Sequence, residues 1–148
     1  MTLLAPFDGT ALSRAALERA AEFADLTDDD VLALTVVPDD RDYAVERGWI
    51  PEDVSFDPER VAAAMESQVH DIAPEAAFRS EIVDSDEPTA TATTNVVREI
   101  RRVAAAVDAA VVFVGTENAG GVTAPLSSVG APVVHDPSYD VYIVRHAD

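Results

Sequence analysis

Apolar and polar positions alternate in blocks along the chain. Five apolar runs of strand length are separated by stretches of helical periodicity, a pattern typical of a parallel α/β sheet. The predicted strands cover residues 2–6, 31–37, 77–83, 110–115 and 139–145. The run 31–37 is nearly all apolar and rich in β-branched residues, as expected for a strand covered on both faces. The run 77–83 alternates more, which places it nearer a sheet edge.

Three amphipathic stretches between these runs predict helices. They cover residues 11–24, residues 58–72, and a third stretch whose stripe of period 3.6 extends from Val96 to Val107 with arginines opposite. Thr10 is suited to cap the first helix. The predicted buried face of that helix contains Leu12, Ala16, Ala20 and Phe23.

Two connections lack such a pattern. Residues 38–57 are rich in Asp, Pro and Gly and predict a long surface excursion, in which Trp49 and Ile50 either fold back onto the domain or cover a crevice or a partner. Residues 122–136 are poor helix because Pro125, Gly130 and Pro132 interrupt them. We predict one α/β domain over residues 1–148, a doubly wound five-stranded parallel sheet of order 3-2-1-4-5 with helices on both faces.

The net charge of the chain argues against some classes of binding partner. The chain has 28 acidic and 10 basic residues, all ten of them arginine, which gives a net charge of −18. This charge argues against nucleic acid and anionic membranes as primary partners. Such a surface repels itself in dilute buffer, whereas molar salt shortens the Debye length to roughly 3 Å. We therefore expect a protein from a halophile that is compact at high salt.

Several kinds of chemistry are not indicated. The chain has no cysteine, no apolar run of about 20 residues that could span a bilayer, and no charged leader with a cleavage site. We therefore expect a cytoplasmic location. The histidines and the acidic clusters lack metal-site spacing, and no nucleophile elbow or complete P-loop is present. We predict no metal and no catalytic residue.

Two loops have the composition of a ligand crevice. Residues 6–10, Pro-Phe-Asp-Gly-Thr, follow the first predicted strand, and residues 115–121, rich in glycine, follow the fourth. With the predicted strand order the two loops lie side by side at the carboxyl ends of the strands, where open α/β sheets bind ligands. Glycine and aspartate are also common in ordinary strand-to-helix turns, so composition leaves both interpretations open.

At these residues the chain resembles the universal stress protein family. Members open with a strand that leads into Pro-Val-Asp-Gly-Ser and an alanine-rich helix, which here reads Pro-Phe-Asp-Gly-Thr at 6–10 followed by the alanine-rich residues 11–20. Residues 32–38 look like the family's second strand, and residues 108–115 look like its Asp-Leu-Ile-Val-Met-Gly segment. The resemblance extends over the whole chain in order and spacing.

The resemblance implies a nucleotide site with a weakened phosphate half. ATP-binding members carry Gly, two residues, Gly, nine residues, then Gly-Ser or Gly-Thr. Here Gly115 matches the first glycine, Asn118 replaces the second, and the final pair falls on Ser127 and Ser128, followed by Val129, after eight residues. The adenosine half is better preserved, since Asp8 matches the family's acid and Val36 the position that meets adenine. The implied candidate residues are Pro6, Asp8, Thr10, Val36, Gly115, Asn118, Ser127, Ser128 and Val129, with ATP or AMP as ligand.

The resemblance also implies a homodimer, because the family's last strand pairs with its twofold mate. The candidate interface residues here are Val141, Tyr142, Ile143 and Val144. Three hypotheses follow for function. The first is a stress-response binding or regulatory module with a degenerate adenine-nucleotide site. The second is a working ATP or AMP binder. The third is an adenine nucleotide hydrolase, for which the sequence offers no catalytic group beyond Asp8.

Overall fold

The computed structural model describes residues 1–84, 92–116, 122 and 139–147, and within them five strands and four helices. The strands are β1 (Thr2–Pro6), β2 (Asp30–Pro38), β3 (Ala77–Val83), β4 (Ala109–Gly115) and β5 (Asp140–Val144). The helices are α1 (Ala11–Thr27), α2 (Arg41–Glu46), α3 (Pro58–Ile72) and α4 (Ala92–Ala106). All strand pairs are parallel, in the order β3-β2-β1-β4-β5. This confirms the predicted fold class and strand order.

The core lies in two layers, one on each face of the sheet. Alternate residues of β1 and β2 point to opposite faces, as the pleat requires. Leu3 and Val37 pack on the face covered by α1 and α3, whereas Leu4 and Leu34 pack on the face covered by α4. Because the central strands are apolar on both faces, helices must cover both sides of the sheet.

Local signals explain where the helices begin and end. The Thr10 hydroxyl accepts a hydrogen bond from the Ser13 amide at the start of α1, and Asp57 does the same for Glu59 at the start of α3. Asp28 ends α1 in the left-handed conformation, with φ of 57°. The observed helix α1 therefore ends at Thr27, about one turn beyond the predicted end at residue 24.

The structure corrects two sequence predictions. The segment 38–57 is not a featureless excursion, because Pro38 belongs to β2 and residues 41–46 form α2, with Asp40 accepting a hydrogen bond from the Tyr43 amide. Phe23 is exposed, although Ala16 and Ala20 on the same predicted face are buried and Leu12 is partly buried. The Phe23 side chain is 36% exposed and meets the ring of Phe113 edge-on at 5.8 Å.

The two edges of the sheet are β3 and β5. The prediction that residues 77–83 lie near an edge is confirmed, and Ile82 on β3 is 45% exposed. Among the residues that the structure describes, no helix is long and apolar enough to cross a membrane.

Candidate functional site

The β1–α1 loop lies at the carboxyl end of the central strand β1, between the ends of β2 and β4. Hydrogen bonds connect it to β2: the Phe7 amide donates to the Leu34 carbonyl at 2.7 Å, and the buried Thr35 hydroxyl donates to the Phe7 carbonyl at 2.8 Å. Gly9 adopts a φ of +82°, a backbone conformation that residues other than glycine rarely adopt. The loop therefore has a fixed shape set by the sheet.

Asp8 organises this loop with one of its two carboxylate oxygens. Oδ1 accepts hydrogen bonds from the Thr10 amide at 3.0 Å and the Thr10 hydroxyl at 2.6 Å. Thr10 in turn caps α1, so Asp8 is coupled to the first turn of the helix. This is the Asx-turn chemistry that aspartate favours at strand-to-helix turns. Oδ1 is thus used within the loop, and Oδ2 faces the segment that follows β2.

Residues from α2 and the turn after it occupy the space beside Asp8. Arg47 Nη1 lies 2.9 Å from Asp8 Oδ2, and the Trp49 indole Nε1 donates to the Asp8 carbonyl at 2.8 Å. The rings of Tyr43 and Trp49 meet edge-on at 5.5 Å, and the Arg47 guanidinium stands 4.9 Å from the centre of the Tyr43 ring. Together Tyr43, Arg47 and Trp49 cover the Asp8 side of the crevice, and we call these three residues the α2 cap. The name refers to this covering position and not to helix capping.

Below the α2 cap is a cavity on the face of the sheet that α4 covers. Its volume is about 20 Å³, and it is lined by Pro6, Phe7, Asp8, Leu34, Val36, Tyr43, Val96 and Ile100. Such a volume holds about one water molecule, whereas small-molecule pockets usually measure about 300–1,000 Å³. The cavity thus brings together three of the predicted site residues, Pro6, Asp8 and Val36, in a space too small for an adenine ring.

Gly115 closes the other side of the crevice, at the end of β4. A Cβ placed on Gly115 would stand 2.8 Å from the Cβ of Leu12 in the first turn of α1. The glycine thus permits a close approach of β4 to α1, which puts the end of β4 next to the Asp8 loop, as the strand order predicted. The remaining phosphate-side candidates, Asn118, Ser127, Ser128 and Val129, lie outside the described residues.

Tyr139, the residue directly before β5, is hydrogen-bonded to the chain that follows β4. Its hydroxyl donates to the Val122 carbonyl at 2.9 Å. Burial raises the pKa of Tyr139 above the ordinary value of 10.0, and the charge of Arg101 opposes that effect. The neutral phenol is therefore favoured in the folded chain.

The exposed edge strand β5 presents part of the predicted interface. Tyr142 is 41% exposed and Ile143 is 40% exposed, and Tyr142 stacks on Phe113 with the ring centres 5.0 Å apart. Val141 is half-buried against the core on the α4 side. Val144 is buried within the core on the α1 side, so its side chain is not available to a partner.

Sequence reasoning did not identify Arg47 or Tyr43 as residues of the crevice. The helix α2 has only six residues, too few to show a periodic pattern. One signal was present: Asp40 stands directly before the segment, with Asp42 in the first turn, which is a common helix start. Among the described residues, no group of three or more His, Asp or Glu side chains is placed to hold a metal ion.

Comparisons with known proteins agree on the fold. The model of the universal stress protein family matches residues 1–145. A crystal structure of a universal stress protein in complex with cAMP is 19% identical, with a TM-score of 0.54 over 100% of this chain and 98% of that one. The Archaeoglobus fulgidus universal stress protein in complex with dAMP is 15% identical, with a TM-score of 0.55 over 98% of both chains.

A protein of the same family from Burkholderia pseudomallei is 14% identical, with a TM-score of 0.52 over 98% of this chain and 96% of that one. No curated protein matches the sequence. At these identities the structural likeness concerns the fold, and the function has to be argued from the site.

Proposed function

Because the chain belongs to the universal stress protein family, we propose that it is a stress-response binding or regulatory domain with a degenerate adenine-nucleotide site, acting as a homodimer. The nucleotide crevice has kept its position at the carboxyl ends of β1 and β4. On the Asp8 side of this crevice, the side chains of Tyr43, Arg47 and Trp49 take up the space beside the carboxylate. The domain then exerts its role through protein partners, with nucleotide binding lost or strongly weakened.

One observation carries this proposal. Both oxygens of Asp8, the acid that the family resemblance assigns to adenosine, already have partners within the chain: Oδ1 binds Thr10 and Oδ2 binds Arg47. Oδ2 keeps one further acceptor position, but a ligand hydroxyl would have to approach it beside the Arg47 guanidinium. The pair is partly buried, where the attraction between charges is screened less than on an open surface. Among the described residues, the cavity beside Asp8 has a volume of about 20 Å³, which is too small for a base while the α2 cap stays in place.

The second candidate is a working ATP or AMP binder, and a specific observation favours it too. The β1–α1 loop is intact, with Asp8, Gly9 and the Thr10 cap in one ordered turn. Two related structures are described as complexes with cAMP and dAMP. In this alternative the α2 cap opens, Arg47 leaves Asp8, and the ligand takes its place.

Calorimetry with AMP and ATP, with magnesium and in molar potassium chloride, decides between the two. The degenerate site predicts no micromolar binding of either nucleotide to the folded protein. The Arg47→Ala variant removes the competing guanidinium and enlarges the space next to Asp8. If AMP binds to Arg47→Ala but not to the unaltered protein, the α2 cap is the cause of the lost binding.

Asp8→Ala is the second variant, and Asp53→Ala is its matched control. Asp53 is exposed in the segment between α2 and α3 and takes no part in the crevice. Micromolar binding by the unaltered protein that is lost in Asp8→Ala and kept in Asp53→Ala would overturn the degenerate-site proposal. Binding that is insensitive to Asp8→Ala would place the nucleotide outside this crevice.

The homodimer part of the proposal rests on β5. An edge strand with exposed apolar side chains is a template for pairing with another strand. Tyr142 and Ile143 meet this description. We propose that two copies join along this edge, with the backbone and the outward side chains of β5 at the centre of the interface.

The halophilic origin is proposed from charge alone. A net charge of −18 on 148 residues with no lysine favours a surface that requires salt to screen its own repulsion. A cytoplasmic location, expected from the sequence, stays a prediction.

A further inference from the structure

Three aromatic side chains stand next to one another on the face of the sheet that α1 covers. The ring centre of Phe113 on β4 lies 5.8 Å from that of Phe23 on α1 and 5.0 Å from that of Tyr142 on β5. Phe113 is buried, whereas Phe23 is 36% exposed and Tyr142 is 41% exposed. We call these three residues the aromatic row. It has a buried centre and two ends that reach solvent.

Exposed apolar side chains are concentrated around the aromatic row. Among the described residues, seven large hydrophobic side chains are exposed. Tyr142 and Ile143 are on β5, and Phe23 and Leu26 are three residues apart on α1, so these two share one flank of that helix. The other three are Met1, Val54 and Ile82. Four of the seven thus belong to β5 or to one flank of α1, which indicates an interaction surface there.

The β5 edge alone is too small for a stable dimer. The strand has five residues, and the side chain of Val144 is buried within its own core. Standard protein–protein interfaces use roughly 20–30 residues on each side. The homodimer proposed above therefore needs a second surface next to β5. The aromatic row is an exposed apolar surface that adjoins this strand, because Tyr142 belongs to both.

Twofold symmetry brings the aromatic rows of two copies together. A twofold axis perpendicular to the sheet makes the paired β5 strands antiparallel and leaves the α1 faces of both copies on the same side. Tyr142 is the middle residue of β5. A register centred on the strand places Tyr142 opposite its own copy, with the two Cβ atoms about 4.5–5.5 Å apart. The row of one copy then continues into the row of the other.

The space above the two paired strands fits side chains and is too narrow for a further helix. α1 lies over β1 and β4, and neighbouring strands are about 4.8 Å apart, so the axes of the two α1 helices would be roughly 19 Å apart. A helix with its side chains is about 10–12 Å wide, which leaves a gap of roughly 8 Å. Aromatic side chains of the two copies fill such a gap, whereas a helix from another protein does not enter it.

We propose that a second copy of this chain covers the aromatic row, so that six rings form one apolar strip across the twofold axis between the two α1 helices. The inference rests on the proposed homodimer and deepens it, because it assigns the contacts outside β5 that stabilise the pair. Two chains that each carry a net charge of −18 repel one another. The contact therefore forms when salt screens that repulsion.

The first test measures the dissociation constant of the dimer by sedimentation equilibrium of the full chain in about 2 M potassium chloride. Phe23→Ser removes one exposed ring from each copy. Val54→Ser is the matched control, because Val54 is 44% exposed and lies between α2 and α3. We expect the dissociation constant to rise about tenfold in Phe23→Ser and less than about twofold in Val54→Ser. Circular dichroism verifies that both variants are folded.

The second test does not depend on how well Phe23→Ser folds. The chain has no cysteine, so Tyr142→Cys introduces a single thiol next to the twofold axis, and Ile82→Cys introduces one on the opposite edge of the sheet as a control. A disulfide requires Cβ atoms roughly 3.5–4.5 Å apart, a separation that directly opposite positions of a strand pair can reach. Under mild oxidation we expect a covalent dimer of Tyr142→Cys and none of Ile82→Cys.

Two results would overturn the inference and leave the β5 homodimer in place, provided that Ile143→Asp still dissociates the dimer. One is a folded Phe23→Ser variant that dimerises as tightly as the unaltered protein. The other is a Tyr142→Cys variant that forms no more covalent dimer than Ile82→Cys. An unaltered protein that is monomeric in molar potassium chloride would overturn the homodimer and the shared aromatic strip together.

Discussion

The guanidinium of Arg47 lies 2.9 Å from the carboxylate of Asp8, which is 39 residues earlier in the chain. The pair joins the turn after α2 to the β1–α1 loop of the candidate crevice. Both side chains are largely shielded, with 20% and 17% of their surface exposed. The same contact thus holds the α2 cap in place and occupies the carboxylate of the proposed nucleotide site.

Removing Arg47 and removing Asp8 should each destabilise the fold, and the loss of Asp8 should cost more. Arg47→Ala loses the ion pair with Asp8 and the contact with the Tyr43 ring, and we expect a loss of about 1–2 kcal/mol in the free energy of unfolding. Asp8→Ala also loses the hydrogen bonds to Thr10, and we expect a loss of about 2–3 kcal/mol. Urea unfolding at constant potassium chloride measures both, and the double variant should be less destabilised than the sum. Strict additivity would show that the pair contributes no coupling energy.

The close approach at Gly115 gives a second prediction. Gly115→Ala places a methyl group 2.8 Å from Leu12 Cβ, which requires a shift of β4 against α1, and we expect a loss of about 1–3 kcal/mol. Leu12→Ala should not rescue this variant, because alanine keeps the Cβ that makes the shortest contact. Thermal unfolding of the two single variants and the double variant measures the effect. A full rescue by Leu12→Ala would mean that the outer atoms of the leucine caused the strain.

The two sheet edges provide a matched test of the proposed dimer. Ile143 on β5 and Ile82 on β3 are exposed to similar degrees, 40% and 45%. Ile143→Asp should convert the dimer into a monomer, because a charge in a buried strand pair is strongly unfavourable. Ile82→Asp should leave it dimeric. Light scattering in molar potassium chloride measures both, and dissociation by Ile82→Asp alone would move the interface to the other edge.

Tyr139 should make stability depend on alkaline pH. Its pKa in the folded chain is raised by burial, so its stabilising contribution is fully present below the ordinary value of 10.0 and is lost as the pH rises through the folded value. The melting temperature of the protein should therefore fall more steeply above pH 10 than that of Tyr139→Phe. Tyr43 and Tyr142 are common to both proteins, so the difference reports Tyr139. Parallel curves would contradict the prediction.

Salt should control compactness. With a net charge of −18, the melting temperature should rise as potassium chloride increases from about 0.1 M to about 2 M, because the Debye length falls from about 10 Å to below about 3 Å. Small-angle scattering should show expansion at the low end of this range. A melting curve that is independent of salt would refute the halophilic interpretation.

The sequence predicted the sheet well because buried parallel strands leave a strong local signal. The strand bounds 2–6 and 77–83 agree with the structure to the residue, and the other three strands differ by one residue at one or both ends. The helix N-cap Thr10 also left a local signal, because its side chain bonds to the amide of Ser13, only three residues further along the chain. Phe23 followed the helical stripe, yet it lies where α1 passes over the ring of Phe113 and stays partly exposed.

The crevice was predicted less completely, because its decisive contacts are distant in sequence. The resemblance placed Asp8 and Val36 at the site, and both line the small cavity. Nothing local to Arg47 indicates that it reaches Asp8, since the contact depends on how a six-residue helix folds back over the end of the sheet.

Trp49 makes the crevice optically observable. It is the single tryptophan of the chain, and its indole nitrogen is hydrogen-bonded to the Asp8 carbonyl beside the ring of Tyr43. Its fluorescence therefore comes from one place, the α2 cap. Withdrawal of the cap would expose the indole to water and shift its emission to longer wavelengths, so opening of the crevice can be followed in real time without any attached dye.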